Sequence, residues 1–180
     1  MSFILGETIP YHETNLTPRE ATMTIKTGDT IPQATFNVLL DGVQAVTTDD
    51  VFKGKKVVLF AVPGAFTPTC SAKHLPGYVD KLDEFKARNV DVVCMAVNDA
   101  FVMDAWAKNQ KAPNDILMLA DGNGEFTKAL GLELDATGFG MGLRAQRFAL
   151  YAEDGVVKKL HVEAPGEFKV SSAEAMLAAI

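Results

Sequence analysis

KVVLFAVPGAFTPTCSAKH, residues 56–74, changes its periodicity midway. Lys56 opens an unbroken apolar run to Val62 that includes β-branched residues, the pattern of a strand buried on both faces. Pro63 and Gly64 end that strand. Thr67 then has the side chain of a good helix N-cap, and Pro68 falls at the first helical position, where its missing N–H costs nothing. Leu75, Val79, Leu82 and Phe85 follow at helical spacing, which predicts a helix over 68–88, kinked or briefly interrupted by Pro76. A buried strand feeding a helix is the repeating unit of an α/β sheet.

The flanks extend the unit. Val90 to Val97 is a second buried strand, carrying Cys94. Asn98-Asp99 can cap a helix over 100–110 whose apolar face would include Val102, Ala105 and Trp106. Ile116–Ala120 is a third buried strand, closed by the turn 121–124 and followed by a short helix at about 125–131. Upstream, residues 34–48 alternate around Asp41-Gly42 as an N-terminal β-hairpin. Downstream, Gln146–Ala152 and Val156–Val162 form a second hairpin, and Ser171-x-x-Glu174 reads as a capping box for a last helix, 173–180. The order predicts one α/β domain over 23–180, a mixed central sheet with helices on both faces, because parallel neighbours need crossover helices. Residues 1–22 lack periodicity and are read as an N-terminal extension.

The chain has 180 residues, enough for one well-buried core. Its net charge of −6 argues against a nucleic-acid partner. No apolar run reaches the roughly 18 residues of a membrane span, so no membrane partner is expected. The opening residues lack the basic n-region of a secretory signal and carry too many acids for a transit peptide, and the expected location is cytoplasmic. Two cysteines make no disulfide framework and fit a reducing compartment. No His, Cys and Asp cluster has metal-ligand spacing, and neither a metal nor an organic cofactor is expected. Gly138-Phe139-Gly140-Met141-Gly142 precedes a strand instead of opening a helix after one, so it cannot cradle phosphate. A flexible loop is expected there.

Cys70 is the residue to explain. With Thr67 capping, it occupies the first turn of its helix, beside unpaired N–H groups and the positive end of the helix dipole. Both favour thiolate over thiol and are expected to lower a free-cysteine pKa of about 8.5. Its place past the C-terminal end of a buried strand is where open α/β sheets put their sites. The competing reading is a buried cysteine acting as a small hydrophobe.

Pro63-x-x-x-Thr67-x-x-Cys70 resembles the active-site signature of peroxiredoxins, and the string 63–74 resembles the type II, or five-type, branch of that family. The similarity continues through 97–99, 101–106, 119–122, 129–135 and Arg144-x-x-Arg147-Phe148-Ala149-Leu150, covering about 24–180. The resemblance implies a thioredoxin-like fold and a thiol peroxidase of antioxidant defence. It would reduce hydrogen peroxide and small organic hydroperoxides through a Cys70 sulfenic acid. It further implies Cys70 as peroxidatic cysteine, Thr67 binding peroxide, Pro63 shielding the sulfur and Arg147 stabilising negative charge. Arg144 is the rival, but the family pattern puts the arginine immediately before the aromatic. Glutathione/glutaredoxin or thioredoxin would be the reductant. A homodimer is implied, with Phe66, Phe101 and Met141 as exposed candidates for its surface.

Cys94 is the one internal candidate for a resolving thiol. A helix of about 18 residues descends about 27 Å, while three or four strand residues climb only about 10–13 Å. That leaves Cys94 on the order of 15 Å from Cys70, against the roughly 7 Å between Cα atoms that a disulfide needs. A buried strand thiol is the alternative, and type II relatives include both one-cysteine and two-cysteine mechanisms. His74 is read as a structural histidine in the kinked helix; His12 and His161 are surface candidates. Two other functions fit a reactive Cys70. One is a peroxide sensor or redox-regulated binding protein. The other is a cysteine hydrolase, for which nothing beyond His74 provides a partner.

Overall fold

The computed structural model describes residues 23–180; the expected extension 1–22 lies outside them. A seven-stranded mixed sheet forms the middle of the domain. Its centre is the parallel trio β3 (Lys56–Ala61), β4 (Val90–Ala96) and β5 (Ile116–Ala120). The N-terminal hairpin, β1 (Thr35–Leu40) and β2 (Gly42–Thr47), joins β5 antiparallel on one side. The second hairpin, β8 (Phe148–Glu153) and β9 (Val156–Val162), joins β3 antiparallel on the other.

Period-two alternation divides the core between the two faces. Val58 and Phe60 of β3 point into one cluster, with Tyr78, Leu82 and Phe85 of α2 (Leu75–Lys86), Met103 and Trp106 of α3 (Ala100–Asn109), and Met176 and Leu177 of α5 (Ala173–Ala179). Val57, Leu59 and Ala61 point into the other, with Val51 and Phe52 of α1 (Thr48–Phe52) and Phe126 and Leu130 of α4 (Glu125–Leu130). Helices therefore cover both faces. Phe60 stacks on Tyr78 with ring centroids 4.0 Å apart and planes 2° from parallel, which ties β3 to α2.

Several local expectations change. The short helix α1 was not expected; Thr47 and Asp50 form its capping box, Thr47 accepting from the Asp50 N–H and Asp50 accepting from the Thr47 N–H. In α3 the buried residues are Ala100, Met103 and Trp106, and Ala105 is exposed, because the row at i, i+3 and i+6 is the one packed into the core cluster. The C-terminal helix is capped by Ser172, one residue later than expected, since the Ser171 hydroxyl is bonded to Glu163. The glycine-rich segment 138–142 is the tip of a two-stranded ribbon, β6 (Glu133–Asp135) against β7 (Leu143–Ala145), with a 3-10 turn at Thr137–Phe139. The Ala136 N–H bonds the Gly142 carbonyl at 2.8 Å and closes it.

Candidate active site

The turn after β3 is tied at each step. Val62 N–H extends the ladder to the Met95 carbonyl at 3.0 Å, and Ala65 N–H bonds Asn98 Oδ1 at 3.0 Å. Phe66 holds a left-handed φ of 63°, which costs a non-glycine residue on the order of 1–3 kcal/mol. The Thr67 hydroxyl donates to the Gly64 carbonyl at 2.7 Å, so it closes the turn instead of accepting from the helix as an N-cap. Its lone pairs stay available to accept a proton donor.

The helix starts as expected, with Ser71 N–H on the Thr67 carbonyl at 3.0 Å. It then widens into a π-helical turn, Cys70–His74, in which the Leu75 N–H reaches back five residues to the Cys70 carbonyl. Pro76 accounts for the interruption: it has no N–H to give the Ala72 carbonyl. On the neighbouring helix, Trp106 Nε1–H bonds Ser71 Oγ at 3.0 Å and fixes α3 against this turn.

Cys70 is fully buried. Arg147 Nη2 donates to its sulfur at 3.3 Å, and Arg147 Nη1 lies 2.9 Å from His74 Nδ1. The two meet because β3 and β8 are antiparallel: Ala61 pairs with Phe148, so the end of one strand adjoins the beginning of the other. Arg144 turns away, its Nε on the Met141 carbonyl at 2.9 Å and its Nη1 on the Val97 carbonyl at 3.2 Å.

His74 has a defined protonation. Its Nε2 lies 3.0 Å from the Ser171 carbonyl, which can only accept, while a guanidinium at Nδ1 can only donate. The ring is therefore the neutral Nε2–H tautomer. Burial, and then the Arg147 charge, depress its pKa to about 3. Tyr78 OH also donates to the Ser171 carbonyl, at 2.9 Å, and burial raises that phenol well above its ordinary range. The Phe168 ring lies edge-on to His74, centroids 4.9 Å apart, with the Arg147 guanidinium carbon 5.8 Å from its centre. The sequence reading missed His74 as the anchor of Arg147, and Ser171 behind it; 97 residues separate that last pair, and no local spacing marks it.

A pocket of about 710 Å³ opens over this constellation. Pro63, Thr67 and Arg147 line its inner side, and Leu134, Ala136, Phe139 and Met141 form an apolar wall. Phe66, Phe101 and Phe139 are exposed, whereas Met141 is half-buried against the pocket.

Cys94 lies mid-strand, paired with Phe60 on one side and Met118 on the other. It is fully buried in the same apolar cluster as Cys70, and both are free thiols. Burial, and secondarily Cys70, push its thiol well above the ordinary value. His161 hydrogen-bonds the Val170 carbonyl at 2.8 Å, away from this cluster, and His12 lies outside the described residues. Among the described residues no group of acidic, His and Cys side chains could hold a metal ion, and no helix is long and apolar enough to cross a membrane.

The family model described as Redoxin matches residues 26–177. Peroxiredoxin-2E, chloroplastic, of Arabidopsis thaliana is 49% identical over 165 residues, covering 88% of this chain and 70% of that protein. Peroxiredoxin-2B of the same plant is 46% identical over 159 residues, covering 87% and 98%. Among solved structures, reduced Prx3 from Vibrio vulnificus in complex with H2O2 is 56% identical, with a TM-score of 0.83 over 87% of this chain and 99% of that one.

Proposed function

The chain belongs to the Redoxin family and, within it, to the type II peroxiredoxins, thiol peroxidases of antioxidant defence, and from that premise we propose that Cys70 is its peroxidatic residue. The observation that carries the reading is the Arg147 Nη2 bond to the Cys70 sulfur at 3.3 Å beneath a pocket lined by Pro63 and Thr67.

The Cys70 thiolate attacks one peroxide oxygen. An S–O bond forms from the sulfur lone pair, the O–O bond breaks, and the leaving alkoxide or hydroxide takes up a proton, giving a sulfenic acid and an alcohol or water. Negative charge moves from sulfur to the leaving oxygen along this line. Arg147 follows it because a guanidinium offers several N–H donors in a fixed fork and remains charged. The Thr67 hydroxyl, donating to the Gly64 carbonyl, accepts a hydrogen bond from the peroxide O–H on its free lone pair and aligns the O–O bond. Pro63 carries no N–H and keeps water from the sulfur on its side of the pocket.

Substrates would be hydrogen peroxide and small organic hydroperoxides; the Vibrio Prx3 structure holds H2O2, and the apolar wall suits an alkyl group. The sulfenic acid would be returned to thiol by glutathione/glutaredoxin or thioredoxin: a first thiol forms a mixed disulfide and releases water, and a second releases Cys70. An external thiol is favoured over Cys94, whose thiol is held mid-strand between Phe60 and Met118 and pushed above its ordinary value by burial. The exposed rings of Phe66, Phe101 and Phe139 support a homodimer, and two free thiols suit a reducing compartment such as the cytoplasm.

NADPH-coupled peroxide reduction with glutaredoxin and thioredoxin systems side by side tests this, using wild type, Cys70→Ser and Cys94→Ser. Continuous turnover by wild type and none by Cys70→Ser is expected. Full activity in Cys70→Ser would remove the central claim, and a single stoichiometric oxidation without turnover would favour a sensor.

A further inference from the structure

Arg147 is held at two ends, and both holds lead to one residue. Arg147 immediately precedes β8 and Glu163 immediately follows β9; the register that pairs Phe148 with Val162 makes them the next cross-strand pair. The Glu163 N–H bonds the Arg147 carbonyl at 3.0 Å and fixes the arginine backbone. The Glu163 carboxylate turns the other way. One oxygen, Oε1, accepts from Lys169 N–H at 2.7 Å, Ser171 N–H at 2.8 Å and the Ser171 hydroxyl at 2.8 Å. Those bonds hold the segment 164–171 so that the Ser171 carbonyl faces His74 Nε2–H. That bond selects the tautomer leaving Nδ1 to accept the Arg147 guanidinium.

We infer that Glu163 is the positioning residue of the reaction, setting the Arg147 guanidinium against the Cys70 sulfur through Ser171 and His74. Burial by itself would raise the Glu163 pKa, but the Ser171 and Lys169 N–H groups and the Ser171 hydroxyl outweigh it and hold the carboxyl below its ordinary value. The anion is the form with all its acceptor capacity free for three donors. Phe168, carried by the same segment, packs on both His74 and Arg147, so the segment sets the arginine by contact as well as by hydrogen bonding. The inference rests on Arg147 acting on the Cys70 sulfur.

The test follows single-turnover oxidation of Cys70 by hydrogen peroxide through the fluorescence of Trp106, the one tryptophan of the chain, whose indole is bonded to Ser71. Wild type, Glu163→Gln, Glu163→Ala and Arg147→Ala are compared, with circular dichroism to establish folding and the His74 imidazole ¹⁵N resonances to report its tautomer. Glu163→Ala is expected to slow oxidation about tenfold, Glu163→Gln less, since sub-ångström displacement of a positioned charge costs rate steeply. The midpoint of the rate–pH profile should move upward, and the Nε2–H signature should be lost or averaged. Should Glu163→Ala not fold, the near-isosteric Glu163→Gln decides alone. Oxidation within about twofold of wild type in a folded Glu163 variant overturns the inference, as does a slowed variant with the His74 signature intact. If Arg147→Ala reacts as fast as wild type, the role of Arg147 itself fails; if only Arg147→Ala is slow, the relay fails and that role stands.

Discussion

Arg147 donates a 3.3 Å hydrogen bond to the sulfur of Cys70 across 77 residues of sequence. The antiparallel pairing of Ala61 with Phe148 brings them together, and the His74 ring holds the guanidinium in place. Replacing Arg147 by alanine should lower the rate of Cys70 oxidation on the order of 10²-fold or more, the usual cost of removing a donor to developing negative charge. Arg147→Lys should recover only part of that, because an ammonium cannot reach sulfur and His74 Nδ1 as a planar fork does. Stopped-flow oxidation kinetics at fixed pH measure both.

Thr67→Val should cut the same rate about tenfold while Thr67→Ser retains most of it, since in the proposed mechanism the hydroxyl orients the peroxide. The valine also loses the 2.7 Å bond to Gly64, so peroxide kinetics should be compared with urea midpoints. A large rate loss in Thr67→Ser with little in Thr67→Val would instead assign the role to the threonine methyl.

His74 should make the fold acid-sensitive in a definite window. Its folded pKa is depressed to about 3 from an ordinary 6.5, so the unfolded chain binds the proton first. The stability gained by keeping it neutral is complete above 6.5, drains as the pH falls, and is gone below about 3. The slope can reach about 1.4 kcal/mol per pH unit. Asp50, Asp135 and Glu163 also have lowered values, but they titrate below their ordinary 3.8 and 4.5, which leaves the upper part of the window to histidine. Stability from urea unfolding should therefore fall more steeply from about pH 7 to 5 for wild type than for His74→Gln.

Cys94→Ser should keep most turnover when glutathione and glutaredoxin supply electrons. The Cys94 sulfur is fully buried mid-strand, and burial raises its pKa, so it is a poor nucleophile toward a Cys70 sulfenic acid in the folded state. Loss of nearly all coupled NADPH consumption would establish it as the resolving thiol. Mass spectrometry of the peroxide-treated protein provides the independent check, by the presence or absence of a Cys70–Cys94 disulfide.

Gly124→Ala should destabilise the fold by about 1–2 kcal/mol or more, from the left-handed backbone cost alone. Gly124 has φ +67°, and an added Cβ would lie 2.8 Å from Leu143 Cδ2 on the ribbon. Gly64→Ala is the contrasting case: its Cβ would press on Thr67 and on the ends of Arg144 and Met141 at 3.2–3.4 Å. It should affect peroxide kinetics more than thermal midpoint.

The strands were legible because burial on both faces leaves continuous apolar runs, as in Val57–Val62 and Val90–Val97. The interruption at Pro76 was legible because a missing N–H acts locally. What escaped was set by the third dimension. Ser171 lost its capping role because Glu163, eight residues back, took its hydroxyl, and Thr67 turned its hydroxyl to Gly64. His74 reads from its sequence neighbours as a structural histidine in the kinked helix; its partners Ser171 and Arg147 are brought to the two sides of its ring only by folding. The resemblance to a family supplied Arg147 by motif position, where spacing alone offered Arg144 equally.

The site hangs from two supports. Cys70 and Arg147 are aligned by the ladder between β3 and β8, whereas Leu134, Ala136, Phe139 and Met141 of the pocket wall belong to the β6–β7 ribbon and its tip, outside the main sheet. Sequence drift at the ribbon tip can reshape the entrance while the reacting atoms keep their registration. On the proposed function, selectivity and intrinsic reactivity are thus separately adjustable: loop grafts at 137–142 should change hydroperoxide preference and leave the rate of Cys70 oxidation by hydrogen peroxide as it was.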